Sequence, residues 1–207
     1  MMRRAASLQS HRDAEILRAA VIPVFLLVAA AAQGATLHYW IEPCPADAAC
    51  RPGDPELARW AFEAWQAAAG GKLELTEVAS REKAQIRVIF GADGRAGLYG
   101  EARPIVVDGM QGAEVYVLTP AAANSDPLLR DAIVYLTCVH ETGHALGLPH
   151  TAQFADIMYS FQYGGDIPEY FGRYRRKLEK REDIRKNPGL SMADRANLLT
   201  VLSSVAF

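Results

Sequence analysis

The chain has 207 residues and a formal net charge of -2; half of its residues are hydrophobic and 22% are charged. This length and composition predict one globular domain and argue against a largely disordered chain. The near-neutral charge balance gives no reason to expect a nucleic-acid binder, and three Cys are too few for a disulfide scaffold. Three of the five His residues fall between His140 and His150, which composition does not explain.

The first 32 residues have the pattern of a secretory signal peptide. Four Arg residues lie within residues 1–18, and an uncharged apolar run follows over residues 19–32. That run is shorter than the roughly 20 residues that a membrane span needs, and Ala30-Ala31-Ala32 forms a small-residue cleavage site. We therefore expect a secreted or periplasmic protein with residues 1–32 removed and no stable membrane span. A buried core helix or an uncleaved anchor is the alternative.

The next part of the chain alternates strand and helix patterns. Short apolar or alternating segments predict strands at residues 37–41, 73–78, 86–90 and 113–118, with local extended structure at 98–102. Between the first two strands, apolar residues at helical spacing predict a helix over residues 57–68 that ends at Gly70-Gly71. Cys44 and Cys50 lie in the turn-rich loop before this helix, where they either pair or remain two free thiols.

Two further helices are predicted in the second half of the chain. Asp126 as N-cap and Pro127 in the first turn begin a helix that runs to Gly147. Ser191, with Asp194 three residues later, begins the last helix. Between them, residues 173–186 hold eight basic and three acidic side chains, which favours a solvated charged helix over a binding patch.

Residues 140–150 follow the pattern H-E-x-x-H-x-x-G-x-x-H. A four-residue step turns a helix by about 400°, so His140 and His144 project from one face and can share one Zn²⁺. Gly147 lets the backbone leave the helix, and the chain then brings His150 in as a third ligand. Three ligands leave one position open for water, as in catalytic zinc sites, and Glu141 is placed to act on that water as a general base. A helix with incidental histidines is the alternative, but five fixed positions rarely coincide by chance.

This pattern resembles the zinc motif of the metzincin metalloproteases, and a candidate Met-turn at Met158 with its Met-Tyr order is most similar to the matrixin branch. Residues 58–78, 84–90 and 97–104 loosely resemble other parts of a matrixin catalytic domain. The resemblance implies an α+β, zincin-like catalytic domain over residues 33–207, with a twisted mixed five-stranded sheet and three main helices. It also implies one catalytic zinc held by His140, His144 and His150, a monomer, and a peptide or protein substrate.

The resemblance further implies where a substrate binds. We expect an extended peptide to pair with an edge strand near residues 113–118, at Ala113, Glu114, Val115 and Tyr116. The pocket for the side chain after the scissile bond is expected to be walled by residues 158–163, with Tyr159, Ser160 and Phe161 binding the substrate.

Several features depart from the matrixin pattern. No segment resembles the cysteine-switch propeptide, and Ser160 stands where matrixins usually have Pro. Structural calcium is possible, but the isolated loop acids Asp93 and Asp108 give no clear motif for it. Residues 161–189, which we call the insertion, are much longer than the corresponding matrixin loop.

Three functions are compatible with these patterns. The first is a secreted zinc endopeptidase in which Glu141 activates a zinc-bound water. The second is a catalytically silent zinc-containing binding module that uses the same cleft, although a purely structural site needs no base at Glu141. The third is a zinc hydrolase that acts on a substrate other than a peptide.

Overall fold

A mixed five-stranded sheet organises the residues that the computed structural model describes, which are 34–44, 50–91, 99–118 and 125–204. Its strands are β1 (Ala35–Ile41), β2 (Leu73–Glu77), β3 (Ile86–Gly91), β4 (Gly100–Val107) and β5 (Met110–Leu118). They lie in the order β2-β1-β3-β5-β4, and every neighbouring pair is parallel except β4 and β5. The predicted signal peptide, residues 1–32, lies outside the described residues.

The helices are α1 (Asp54–Ala68), α2 (Pro127–Ala145), α3 (Ile167–Arg175), α4 (Asp183–Lys186) and α5 (Met192–Ser204). Alternate residues of the central strands, such as Val88 and Val115, are buried in the core, whereas Arg87 and Glu114 face the other side of the sheet. Helices α1 and α2 pack on each other and supply much of the same core. This is the expected α+β arrangement, with three long helices.

Helix α2 begins as the sequence predicts. The Asp126 side chain accepts hydrogen bonds from the backbone amides of Leu128 and Leu129, and Pro127 occupies the first turn, where no amide donor is needed. The indole of Trp65 on α1 donates to the Val139 carbonyl at 2.9 Å and so ties α1 to the middle of α2. No helix within the described residues is both long and apolar enough to cross a membrane.

The expectation that residues 113–118 form the edge of the sheet is wrong. Strand β5 pairs with β3 on one side and with β4 on the other, so both of its backbone edges are already hydrogen-bonded. Asp108 and Gly109 have positive φ values of 51° and 80°, and this two-residue hairpin turn folds β4 back alongside β5. Among the described strands, β4 therefore forms this edge of the sheet, opposite β2, and Pro104 within it is the residue type that edge strands tolerate.

The interpretation of residues 173–186 as one solvated helix is also wrong. The segment contains the end of α3, a turn region and the short helix α4. Many of its arginines contact acids: Arg175 pairs with Asp126, Arg176 with Glu169, Arg181 with Glu56 and Asp131, and Arg185 with Glu63. Three of these arginines, Arg175, Arg181 and Arg185, reach acids on α1, on α2 or at the α2 N-cap, so their ion pairs hold the insertion against those helices.

The loop before α1 contains a disulfide. Cys44 and Cys50 are bonded, with their Cα atoms 5.8 Å apart, so the pairing alternative is the one found. The third cysteine, Cys138, is buried on α2 as a free thiol.

Candidate metal centre and cleft

Helix α2 and the turn that follows it bring the three predicted histidines together. His140 and His144 lie one turn apart, and Gly147, with φ of 91°, ends the helix. The Leu148 amide then donates to the Gly143 carbonyl at 3.0 Å and the Gly147 amide to the His144 carbonyl at 2.9 Å. This is a Schellman termination, and it reverses the chain so that His150 returns to the other two rings.

The three imidazoles converge through their Nε2 atoms. The Nε2 atom of His150 lies 3.2 Å from that of His140 and 3.0 Å from that of His144. Nitrogen ligands of a tetrahedral zinc at 2.0–2.1 Å stand about 3.3 Å from one another, so the two distances to His150 fit this ion, and all three ligand atoms lie within 4.8 Å of one another. The trio is the one cluster of three or more His, Cys, Asp or Glu ligand groups found in the described ranges.

Backbone carbonyls orient two of these rings. The Nδ1 atom of His140 lies 2.7 Å from the Ile157 carbonyl, and that of His144 lies 2.9 Å from the Leu148 carbonyl. Because a carbonyl only accepts, Nδ1 carries the proton and Nε2 presents a lone pair. Burial lowers the pKa of His140 to about 4 and also lowers the pKa values of His144 and His150, so all three are neutral at pH 7, the state that binds metal.

The turn containing Met158 packs against α2 beside the histidines and is hydrogen-bonded to the last helix, α5. Met158 is fully buried, and a Cβ added at Gly143 would stand 2.5 Å from its sulfur, so glycine permits this close packing. The buried Asp194 carboxylate on α5 accepts from the Ile157 amide at 2.9 Å. Asp194 also accepts from the Ser191 amide at 2.8 Å. The sequence identified Asp194 only as part of a helix start, because its contact with the turn spans 37 residues.

Glu141 lies against the edge strand. An added Cβ at Gly100 on β4 would stand 2.6 Å from the Glu141 Cγ, so only glycine allows this approach. The Ala102 amide donates to the Glu141 carboxylate. Burial raises the pKa of Glu141 to about 7, with a smaller contribution from the negative charge of Glu101 and an opposing one from the Ala102 hydrogen bond.

A cavity of about 510 Å³ opens beside Glu141 and the three histidines. The predicted residues Tyr159, Ser160 and Phe161 line it, joined by Tyr170 and Phe171 from further along the insertion. The other predicted substrate residues are elsewhere: Ala113, Glu114, Val115 and Tyr116 do not border this cavity and lie on the inner strand β5. Of the predicted substrate residues, only Tyr159, Ser160 and Phe161 therefore lie beside the metal centre.

The sequence over residues 32–168 matches the family model of matrixin, peptidase family M10. The chain belongs to the matrixin family. The match ends inside the insertion, at the first residues of α3. The family and the three histidines support a zinc metallopeptidase.

The fold is also that of a solved metzincin. The chain is similar to the crystal structure of archaemetzincin from Methanopyrus kandleri, with a TM-score of 0.51 and 15% sequence identity. The similarity covers 86% of this matrixin chain and 99% of archaemetzincin. No curated protein matches the chain significantly by sequence.

Proposed function

We propose that this matrixin is a secreted, zinc-dependent endopeptidase in which Glu141 is the general base. The observation that carries the proposal is the position of Glu141, which borders the same cavity as the three converging histidines and contacts the edge strand β4. A zinc ion bound by the histidines supplies Lewis acidity, which polarises the scissile carbonyl and makes a water molecule more acidic.

Glu141 moves one proton in each half of the reaction. Its carboxylate takes a proton from the attacking water as the oxygen bonds to the scissile carbon. The resulting carboxylic acid then gives that proton to the leaving amine nitrogen as the C–N bond breaks, which restores the carboxylate. Burial raises the pKa of Glu141, which favours its acid form, whereas a bound cation lowers it and favours the carboxylate that accepts the proton.

The substrate pairs with β4 in this proposal. Within the described ranges, β4 pairs with β5 alone, and an extended peptide can add to its other edge by backbone hydrogen bonds. Such pairing places a scissile bond beside Glu141, because Gly100 and Ala102 on β4 contact that residue. The next side chain of the substrate then enters the cavity lined by Tyr159, Ser160 and Phe161.

Two features support export. Residues 1–32 carry the signal-peptide pattern, and the Cys44–Cys50 disulfide suits an oxidising compartment. N-terminal sequencing of protein recovered from the exported fraction tests this part. We expect a mature chain that begins after Ala32, and an intact Met1 in that fraction would contradict cleavage.

Cleavage-site profiling tests the enzymatic proposal. The purified protein is incubated with a peptide library, with and without a zinc chelator, and the chelated sample is then resupplied with zinc. We expect internal cleavage with a preference at the position after the scissile bond, loss of cleavage on chelation, and recovery on zinc addition. Activity that survives chelation would contradict the zinc mechanism, and the absence of peptide cleavage would favour a binding module.

A further inference from the structure

The insertion reaches the metal centre through the hydroxyl group of one tyrosine. Tyr170 on α3 is 5% exposed, and its hydroxyl lies 3.1 Å from the Asp156 carbonyl and 3.2 Å from the Ile157 carbonyl. The Ile157 carbonyl is the same group that accepts from Nδ1 of His140 at 2.7 Å. The single hydroxyl proton is shared between the two carbonyls, and the Ile157 oxygen, which has two lone pairs, can accept from it and from Nδ1 of His140 at once.

The position of this hydroxyl is set by the packing of α3. Asp166 caps the helix by accepting from the Glu169 amide at 3.0 Å. The Tyr170 ring then packs edge-on against Phe161 and Phe154, with ring centroids 5.2 and 5.5 Å away. The Arg173 guanidinium covers both the Tyr170 and Phe154 rings at 4.6 Å from each centroid. The ring is thus fixed on several sides, and its hydroxyl is held at the two carbonyls.

We propose that Tyr170 is a positioning residue of the metal centre. Its hydroxyl holds the Ile157 carbonyl in place, and that carbonyl in turn fixes the ring orientation and tautomer of His140. Tyr170 lies on α3 within the insertion, two residues beyond the segment that matches the matrixin model, so the support comes from the insertion. The Tyr170 ring also lines the cavity, so one side chain of α3 contacts both the pocket and the carbonyl that holds His140. The inference rests on the proposed function only in taking zinc as the ion.

The experiment compares Tyr170→Phe with Tyr174→Phe in the full chain. Tyr174 lies one turn further along α3, is 4% exposed, and donates to the Asn187 carbonyl at 2.6 Å. Each variant therefore removes one buried hydroxyl from the same helix and keeps the ring, but only Tyr170 touches a carbonyl that holds a metal ligand. Zinc dissociation constants are measured for both variants and the wild type by competition with a chromophoric chelator.

We expect Tyr170→Phe to bind zinc about tenfold more weakly than wild type, the lower end of the effect of losing such support. Tyr174→Phe should bind zinc within about twofold of wild type, and both variants should lower the melting temperature of the metal-free protein by similar amounts. Equal zinc affinity in Tyr170→Phe and wild type would overturn the proposal. An equal loss in both variants would also overturn it, because the effect would then be general destabilisation.

Peptide cleavage gives a second measurement. Because the Tyr170 ring remains in the cavity wall, Tyr170→Phe should lower kcat and leave KM within about twofold of wild type. A raised KM with unchanged kcat would assign Tyr170 to the pocket alone and contradict the proposal. The zinc constants need no activity, so they decide the role of Tyr170 even if the protein cleaves no peptide.

Discussion

Helix α2 and the insertion both border the cleft, but the sequence of α2 indicates this position much more clearly than the sequence of the insertion does. Helix α2 carries fixed residue types at fixed spacing, because two ligands one turn apart and an adjacent carboxylate need that helical geometry. The insertion carries mainly charge, yet most of its arginines pair with acids on neighbouring elements. Its buried aromatic residues are what reach the cavity. The residues of the insertion that contribute to the site are therefore its few aromatic residues packed at the cavity, not its numerous charged residues.

The difference between α2 and the insertion can first be tested by removing the arginine of one ion pair in each region. Arg130 on α2 is 2% exposed and pairs through two nitrogens with Asp54 on α1, which is 1% exposed. Arg130→Ala leaves a buried carboxylate without its partner, so we expect the free energy of unfolding to fall by about 4 kcal/mol. Urea denaturation monitored by tryptophan fluorescence measures this change in the free energy of unfolding.

Arg185→Ala is the matched control, because Arg185 on α4 also pairs with an acid on α1. That pair, with Glu63, is largely exposed, and its loss should cost less than about 1 kcal/mol. If both variants lost similar stability, the distinction between the buried pair of α1 and α2 and the surface pairs of the insertion would not hold.

The second test removes the carboxylate that holds the Met158 turn. Asp194→Ala deprives the buried Ile157 amide and the Ser191 amide of their acceptor, so we expect a loss of about 3 kcal/mol and weaker zinc binding. Calorimetry and chelator competition measure the two effects. Asp183→Ala is the comparison inside the insertion, where Asp183 accepts from the exposed Glu179 and Lys180 amides. It should leave zinc affinity unchanged, and a loss equal to that of Asp194→Ala would refute the assignment.

The smallest expected effect lies where the two regions meet, at Asp126. Hydrogen bonds from the Leu129 amide, assisted by Arg175 of the insertion, hold the pKa of Asp126 below its ordinary value. A carboxylate whose pKa is lower in the folded than in the unfolded protein stabilises the fold at pH values above its unfolded-state pKa. That stabilisation is lost as the pH falls through its folded-state pKa. Asp126→Ala should therefore cost about 1 kcal/mol at pH 7, and the difference from wild type should shrink below about pH 4.

Asp126→Asn separates the two contributions at this position. Asparagine keeps the helix cap but has no charge for Arg175, so we expect most of the stability to remain. Stability curves of the three proteins from pH 3 to pH 8 provide the measurement. A constant difference between wild type and Asp126→Ala across that range would show that the ionised carboxylate contributes nothing.

The sequence predicts those parts of the molecule that depend on local geometry. The start of α2 at Asp126, its end at Gly147 and the convergence of the three histidines follow from caps, glycine and helical spacing. The edge strand was misplaced because pairing partners are set by the whole sheet, although Pro104 and the Asp108-Gly109 turn were usable signals.

Contacts between distant residues could not be predicted in the same way. Asp194 reaches a turn 37 residues earlier, and Tyr170 reaches carbonyls 13 and 14 residues earlier, through packing that no local pattern records. An aspartate near a helix start and a tyrosine just before a charged segment are ordinary residues at the level of sequence. Their roles appear only once α3 and α5 are packed against the turn at Met158.

The most direct test of the central claim is a paired measurement on Glu141→Ala, giving bound zinc per chain and the rate of peptide cleavage. The variant keeps all three histidines and their carbonyl partners, so it should retain one zinc ion per chain. Without the proton acceptor, kcat/KM should fall by roughly 10²–10⁴-fold. Cleavage at the wild-type rate by the zinc-loaded variant would contradict the role assigned to Glu141.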